Sequence, residues 1–391
     1  MSVLNKIRIK KIESLLIIIS IIIIFFAAYK LAAIAKLQDF SIYWMAAHTW
    51  LGGKNPYDLI WHHEYVTGEV GLIDSTKNTL KVWSPPYFLV PMILFGIWDL
   101  FTAKIFFITI LLAQAFILAY RVINSIIISN RISNPVLLFP KIIVYLSALP
   151  IWLWASAFFC GGMGILSALA PLFMTFVRGY GAIWHWAVFW LLLSLKPHIA
   201  FFGSLFILCA LPKDARIRSL KGFGIACVVI MSVLTIYSPQ VFSQYLSLDA
   251  SIVNEYIVST STLNRLIRFL GCPPEVYYAL AGGFLVVFFC LLKRPPRLHS
   301  LSEIIAFSIL VNQILLFASP YAWTHDYQVS AGWLWATFTL GITSGPLAWL
   351  NLVSMISFNF LNLFGLEHLA MVLWWYLSIV NFVKIYKTKT S

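Results

Sequence analysis

The chain reads as an all-α polytopic membrane protein, and three observations carry that reading. Of its 391 residues, 61% are hydrophobic and only 10% charged, where a soluble domain carries about 25% charged residues. The mean hydropathy is +0.88. Apolar runs follow one another from end to end, parted by short loops in which Lys and Arg collect. At about 20 residues per crossing, this length holds roughly 10–14 spanning helices and no soluble domain of ordinary size. The expectation is one integral membrane domain over 1–391. A multidomain cytosolic enzyme, a disordered scaffold and a secreted disulfide framework are excluded.

The first element follows a basic N-terminus (Lys6, Arg8, Lys10, Lys11) and runs from Ser14 to about Ala35. It is longer than the 7–15-residue apolar core of a signal peptide and reads as an uncleaved first helix. The stretch 36–83 is the most acidic of the chain, and the spacing of Phe40, Tyr43, Trp44, Ala47, Trp50 and Leu51 predicts an amphipathic helix lying in the membrane interface. Gly52 and Gly53 end it. Asn55-Pro56 then reads as cap and first position of a second short helix.

The remaining apolar runs are 85–101, 103–120, 141–158, 163–177, 183–195, 198–212, 222–237, 275–292, 301–318, 329–344, 346–361 and 368–386. Lys and Arg favour the cytoplasmic side. They mark loops at Lys213–Lys221 and Lys293–Arg297 and a C-terminal cluster at Lys384, Lys387 and Lys389. Both termini then lie inside, crossings are even in number, and about 12 are expected. One run, expected before residue 180, is then a half-helix or a misdivided run; Arg121, Arg131 and Lys141 prefer the inside and conflict with two full crossings between 84 and 120, which leaves the topology of 84–180 open. Counting from the basic loops places 36–83, Lys196-Pro197-His198, the long loop 238–274 and Pro320–Gln328 together on the outer face.

The excess of 27 Lys and Arg over 14 Asp and Glu, net +13, reads as topology signal and contact with anionic lipid headgroups. It implies no nucleic-acid partner. The five cysteines (Cys160, Cys209, Cys227, Cys272, Cys290) show no CxxC spacing and read as packed thiols. His62-His63-Glu64 lacks the HExxH spacing, there is no DxD pair and no P-loop. No metal or other cofactor is expected.

Asp39, directly after the first helix, serves either as N-cap of the interfacial helix or as a general base facing a membrane-bound substrate. The segment that carries it also carries a resemblance. Asp39-Phe40-Ser41-Ile42-Tyr43-Trp44 with Ala46-Ala47, then Gly52-Gly53-Lys54-Asn55-Pro56-Tyr57, then Trp83-Ser84-Pro85-Pro86, resembles the first outer loop of glycosyltransferase family 87. Leu195-Lys196-Pro197-His198 is similar to that family's L-K-P-Q element. Ser319-Pro320-Tyr321 with His325-Asp326 resembles its late S-P element, and Thr262-Leu263-Asn264 with Arg265 resembles, weakly, its long outer loop. Cys160-Gly161-Gly162 departs from the G-Q pair of many relatives.

The resemblance implies a GT-C-type bundle with interfacial helices in the first outer loop. It implies transfer of a hexose, mannose first, from a polyprenyl-phosphate donor to a glycolipid or glycan acceptor on the outer face of a bacterial plasma membrane. Such a reaction needs a base on the acceptor and cations on the leaving phosphate. The family's catalytic base maps onto Asp39. Lys196, Arg265 and His325 are the candidate phosphate-binding cations, and Tyr43, Trp83, His198 and Asp326 the candidate substrate contacts. Four of these have a plainer reading: Lys196 snorkels to the interface, His198 is a polar helix-start residue, and His325 with Asp326 is a loop hydrogen-bond pair. A transporter or flippase for a lipid or small solute is the alternative, and would place its polar residues at the midplane of broken helices.

Overall fold

The computed structural model describes residues 19–57, 84–130, 162–247, 270–318 and 332–390, positions 20, 36, 343–344 and 364–365 apart, together with Leu263 and Ile267. Among them every regular element is helical. In chain order these are α1 (Ile21–Ala32), α2 (Gln38–Leu51), a 3-10 turn (Pro86–Phe88), α3 (Leu89–Gly96), α4 (Leu100–Asn130), α5 (Gly164–Met174), α6 (Ile183–Leu193) and α7 (Pro197–Ala210). They continue with α8 (Lys213–Tyr237), α9 (Val241–Leu246), α10 (Pro274–Lys293), α11 (Leu301–Phe317), α12 (Trp333–Thr339), α13 (Gly345–Leu363) and α14 (Glu367–Thr390). Four stretches among the described residues are long and apolar enough to cross a membrane: Leu100–Ile123, Lys213–Tyr237, Glu275–Lys293 and Leu369–Thr390. Their outward faces display large apolar side chains such as Val228, Val286, Val287 and Tyr376. Such faces are stable against lipid and costly against water.

The basic clusters converge on one end of the bundle. Arg218 donates to Gly181 O (2.9 Å), Trp190 to Ser219 O (3.1 Å) and Tyr180 to His299 O (3.4 Å). Those bonds join the starts of α6 and α8 to the loop before α11. That loop in turn holds the end of α14: the Arg297 amide donates to Lys389 O, Tyr386 to Arg294 O, and Lys389 Nζ lies 2.9 Å from Glu303 Oε1. Glu303 also accepts from the His299 amide (2.7 Å), while its own amide donates to Ser300, the N-cap of α11. Removing this half-buried carboxylate with Glu303→Gln loosens the clasp. The expected cost is about 1 kcal/mol, read as earlier thermal unfolding and faster proteolysis after Lys384 than in the parent.

Two sequence-level expectations change. Run 85–101 is a helical segment of only 11 residues, the 3-10 turn plus α3, which rises about 16 Å and stops half-way through a bilayer. The chain then turns at Asp99, whose carboxylate accepts from the Thr102 amide (2.9 Å) and hydroxyl (2.7 Å) and so starts α4. With α3 as the half-helix, α4 alone carries the chain to the basic end. There Arg121 donates to Thr175 O (3.1 Å) and stacks on Phe176; Arg131 and Lys141 lie outside the described residues. Second, the basic stretch 213–221 is no loop. It forms the first turns of α8, because Arg216 reaches the carbonyls of Cys209 and Leu211 and Arg218 that of Gly181.

Helices α6 and α7, of 11 and 14 residues, meet at Ser194–Lys196 and lean on longer neighbours. On α11, the Asn312 amide donates to Ile199 O (2.7 Å) and accepts from the Gly203 amide (3.3 Å). Those two groups are i and i+4 in α7, so Asn312 bridges a rung of its backbone ladder, a known cause of helix bending. Gly203 permits the approach, since a Cβ there would lie 3.1 Å from Ser308 O. Asn312→Leu removes the bridge and leaves only the direct rung. A loss of about 0.5–2 kcal/mol is expected, measured by denaturant titration in detergent.

Candidate functional site

The end opposite the basic clusters is assembled around α2, and a strained junction sets its entry. Leu37, wholly buried, adopts φ 47 and ψ 55, a left-handed conformation uncommon outside glycine. Lys104 Nζ donates to Ala35 O (3.0 Å), satisfying a carbonyl just past the end of α1. The chain therefore reverses within a few residues, and Gln38 starts α2 with Leu37 in the cap position. Asp39 is the second helical residue, so the capping role foreseen for it does not apply. It stands in the first turn, at the positive end of the helix dipole, and is half-buried.

The expectation that α2 rests its aromatics on the membrane surface is also corrected. Phe40, Trp44, Ala47 and Trp50 are buried against protein. Phe40 packs on Phe95 and Phe107, Trp44 donates to Trp98 O (3.1 Å), and His48 Nδ1 lies 2.8 Å from Gly96 O. Ala47 meets Gly96 so closely that a Cβ on the glycine would lie 2.9 Å from the alanine Cβ. α2 thus belongs to the bundle. What stays accessible near its start is the strip carrying Asp39 and, one turn on, Tyr43, both half-buried.

Tyr43 ties this strip to distant sequence. Its hydroxyl shares a 2.8 Å hydrogen bond with Ser84 Oγ, and its ring meets Phe88 edge-on at 5.1 Å. Tyr57 donates to Ser84 O (3.0 Å), its amide donates to Asn55 Oδ1 (2.9 Å), and its ring lies 5.5 Å from that of Tyr245 on α9. Burial, and then the nearby phenols of Tyr245, Tyr43 and Tyr87, hold the Tyr57 phenol well above its ordinary pKa, so it stays protonated as a donor. Trp50 meets Tyr237 at 5.1 Å, joining the end of α2 to the end of α8.

Lys196 is the N-cap of α7, extended at φ −144 before Pro197 in the first helical position. Its side chain is only 4% exposed. That burial sets aside the simple snorkelling reading, in which the ammonium reaches the surface. The Ile199–Asn312 bond sets the start of α7 level with the last turns of α11, and the hydrogen bond from Tyr277 to Ala318 O brings the start of α10 to the same level. Lys196 therefore lies at the end of α11 away from Glu303 and the basic clusters. Trp83, Arg265, His325 and Asp326 lie outside the described residues, as does the side chain of His198, whose backbone is in the first turn of α7.

Among the described residues no three His, Cys, Asp or Glu side chains converge, and Cys209, Cys227, Cys272 and Cys290 are free thiols. Two small clefts lie inside the bundle, away from Asp39. One runs beside Gln114, Thr175 and Trp335, the other beside Ser204, Ser308 and Asn312. Ser84, Tyr57, Tyr87 and Tyr245 are site residues that sequence reasoning did not single out. The first two stand in quoted motif elements, whereas Tyr245 gave no signal. Comparison with known proteins finds no matching family model, curated protein or solved structure.

Proposed function

We propose that this protein is a membrane-embedded glycosyltransferase of about 12 crossings that uses a polyprenyl-phosphate-linked hexose, mannose first, as donor. The acceptor is a glycolipid or glycan, and the site opens on the membrane face opposite the basic loops. By the distribution of Lys and Arg that face is the outer one of a bacterial plasma membrane, with both termini in the cytoplasm. One observation carries the reading: the Asp-Phe-x-x-Tyr-Trp element and the Trp-Ser-Pro-Pro element, some 40 residues apart in sequence, touch through the hydrogen bond of Ser84 with Tyr43, which follows Asp39 by one turn on α2.

The chemistry balances with these groups. An acceptor hydroxyl oxygen attacks C1 of the sugar as Asp39 takes its proton, and the C1–O bond to phosphate breaks. Polyprenyl phosphate leaves with the electron pair, and Lys196, joined by Arg265 and His325, stabilises the charge that develops there. One displacement inverts the anomeric centre, from a β-linked donor to an α-linked product.

A second reading, transport of a lipid or small solute, draws on the bundle interior. The Gln313 amide and Gln114 Oε1 are buried there with no hydrogen-bond partner among the described residues, and a polar path through the bundle would need such groups. The two readings separate on one preparation. Purified protein in vesicles, given labelled polyprenyl-phosphate hexoses and a panel of glycan acceptors, is expected to form labelled glycan. Translocation of label without any new glycosidic bond would overturn the transferase.

A further inference from the structure

Three chain segments distant in sequence meet around Tyr43 and Ser84, and each contributes a tyrosine. Tyr57 follows α2, Tyr87 sits in the 3-10 turn, and Tyr245 lies on α9, which packs on that turn. With Tyr43 they form one cluster: the phenols of Tyr43, Tyr87 and Tyr245 are all near enough to Tyr57 to act on its charge. The four hydroxyls are not equivalent. Those of Tyr43 and Tyr57 are both taken up by Ser84. Those of Tyr87 and Tyr245 have no hydrogen-bond partner among the described residues, and both side chains are only half-buried. Both hydroxyls are therefore open to a partner from outside the protein, and each belongs to a ring already fixed in the cluster.

We infer that Tyr87 and Tyr245 form a carbohydrate subsite, in which a pyranose lays its C–H face on the Tyr245 ring while its hydroxyls exchange hydrogen bonds with the two phenols. Tyr43 and Tyr57, locked by Ser84, make the rigid wall that holds this pair in place. A hexose matches the surface in kind. It is uncharged and amphipathic, with an apolar ring face and a rim of hydroxyls, and the cluster offers aromatic faces and neutral donor–acceptor groups. Tyrosine supplies both at low entropic cost. Tyr43 connects the cluster to α2, on which Asp39 stands one helical turn earlier. The subsite therefore rests on the transferase reading for its purpose, but not for its existence.

Binding of free methyl α-mannopyranoside, with glucoside and galactoside alongside, tests the subsite without any transfer. With the protein in nanodiscs, saturation-transfer NMR is expected to mark one face of the mannoside ring. Tyr245→Ala should weaken binding by about tenfold, and Tyr87→Phe or Tyr245→Phe, which keep the ring, by about three- to tenfold, as expected for one hydrogen bond. Glu303→Gln, in the clasp at the opposite end of the bundle, should bind as the parent does. Each variant is compared at matched thermal stability, and the Phe variants keep the test valid where Tyr245→Ala does not fold. Equal binding by parent and tyrosine variants, or no saturation of any pyranoside, overturns the subsite. Tyrosine-dependent binding without transfer of any lipid-linked sugar would instead sink the transferase and leave the subsite standing.

Discussion

Asp39→Asn is expected to lower turnover with a polyprenyl-phosphate hexose by about 10²–10⁴-fold, the usual worth of a general base, with donor affinity retained. The substitution keeps the size and the hydrogen-bonding oxygen and removes only the ability to take a proton. An acidic residue in the first turn of a helix contributes about 0.3–1 kcal/mol through the helix dipole, and α2 is held mainly by its buried aromatics, Phe40, Trp44 and Trp50. Rate and stability therefore report on different roles. A base gives a large fall in kcat with nearly unchanged unfolding, whereas a helix-terminus charge gives a slight loss of stability and unchanged turnover. Single-turnover kinetics beside thermal unfolding of the same preparation would decide, and parental kcat would remove Asp39 from the chemistry.

The largest effect on stability is expected at Gly222. On α8 this glycine faces α6 so closely that a Cβ would lie 2.6 Å from the Trp186 Cβ and 2.7 Å from the Ala187 amide nitrogen. These are not the far ends of flexible side chains, so Gly222→Ala must push two helices apart. Overpacking of this kind costs about 1–3 kcal/mol or more, and separation also strains the Trp190–Ser219 and Arg218–Gly181 hydrogen bonds on either side. Gly224, two residues on, is the internal control. Its Cβ would meet nothing within 4 Å, so Gly224→Ala gains about 1 kcal/mol of helix propensity. Opposite shifts in the unfolding midpoint of the two variants are the expected result. A neutral Gly222→Ala would show that α6 and α8 do not pack at this distance.

Much of the site was written locally. Lys196-Pro197-His198 stood at the outer end of an apolar run, and the structure makes it a helix start, since the residue before proline avoids the helical conformation and proline suits the first helical position. Gly53 takes φ 74 just past α2, as a residue ending a helix in a left-handed turn does. Asp39 stood out because a carboxylate is costly in an apolar chain. The capping role read for it failed by two residues: the left-handed turn at Leu37 cannot be foreseen where leucine replaces the expected glycine. The aromatic periodicity of α2 was right, yet it could not say whether lipid or protein covers those rings. The tyrosine cluster was invisible, because Tyr57, Tyr87 and Tyr245 share no local pattern.

The sequence by itself determined the solvent, the helical class and the segregation of charge, because each follows from local composition: apolar runs must pair their backbone groups internally in lipid, and scarce charges must stay at the ends. Only the tertiary structure decided which runs are half-length, that α2 is buried, and that Tyr43 meets Ser84. Those outcomes depend on which surfaces meet. An 11-residue helix such as α6 reads as a crossing in isolation, and is revealed as a short one only by the neighbour it leans on. Close approaches such as Gly222 on Trp186, or Asn312 between Ile199 and Gly203, bring together residues that no local pattern pairs.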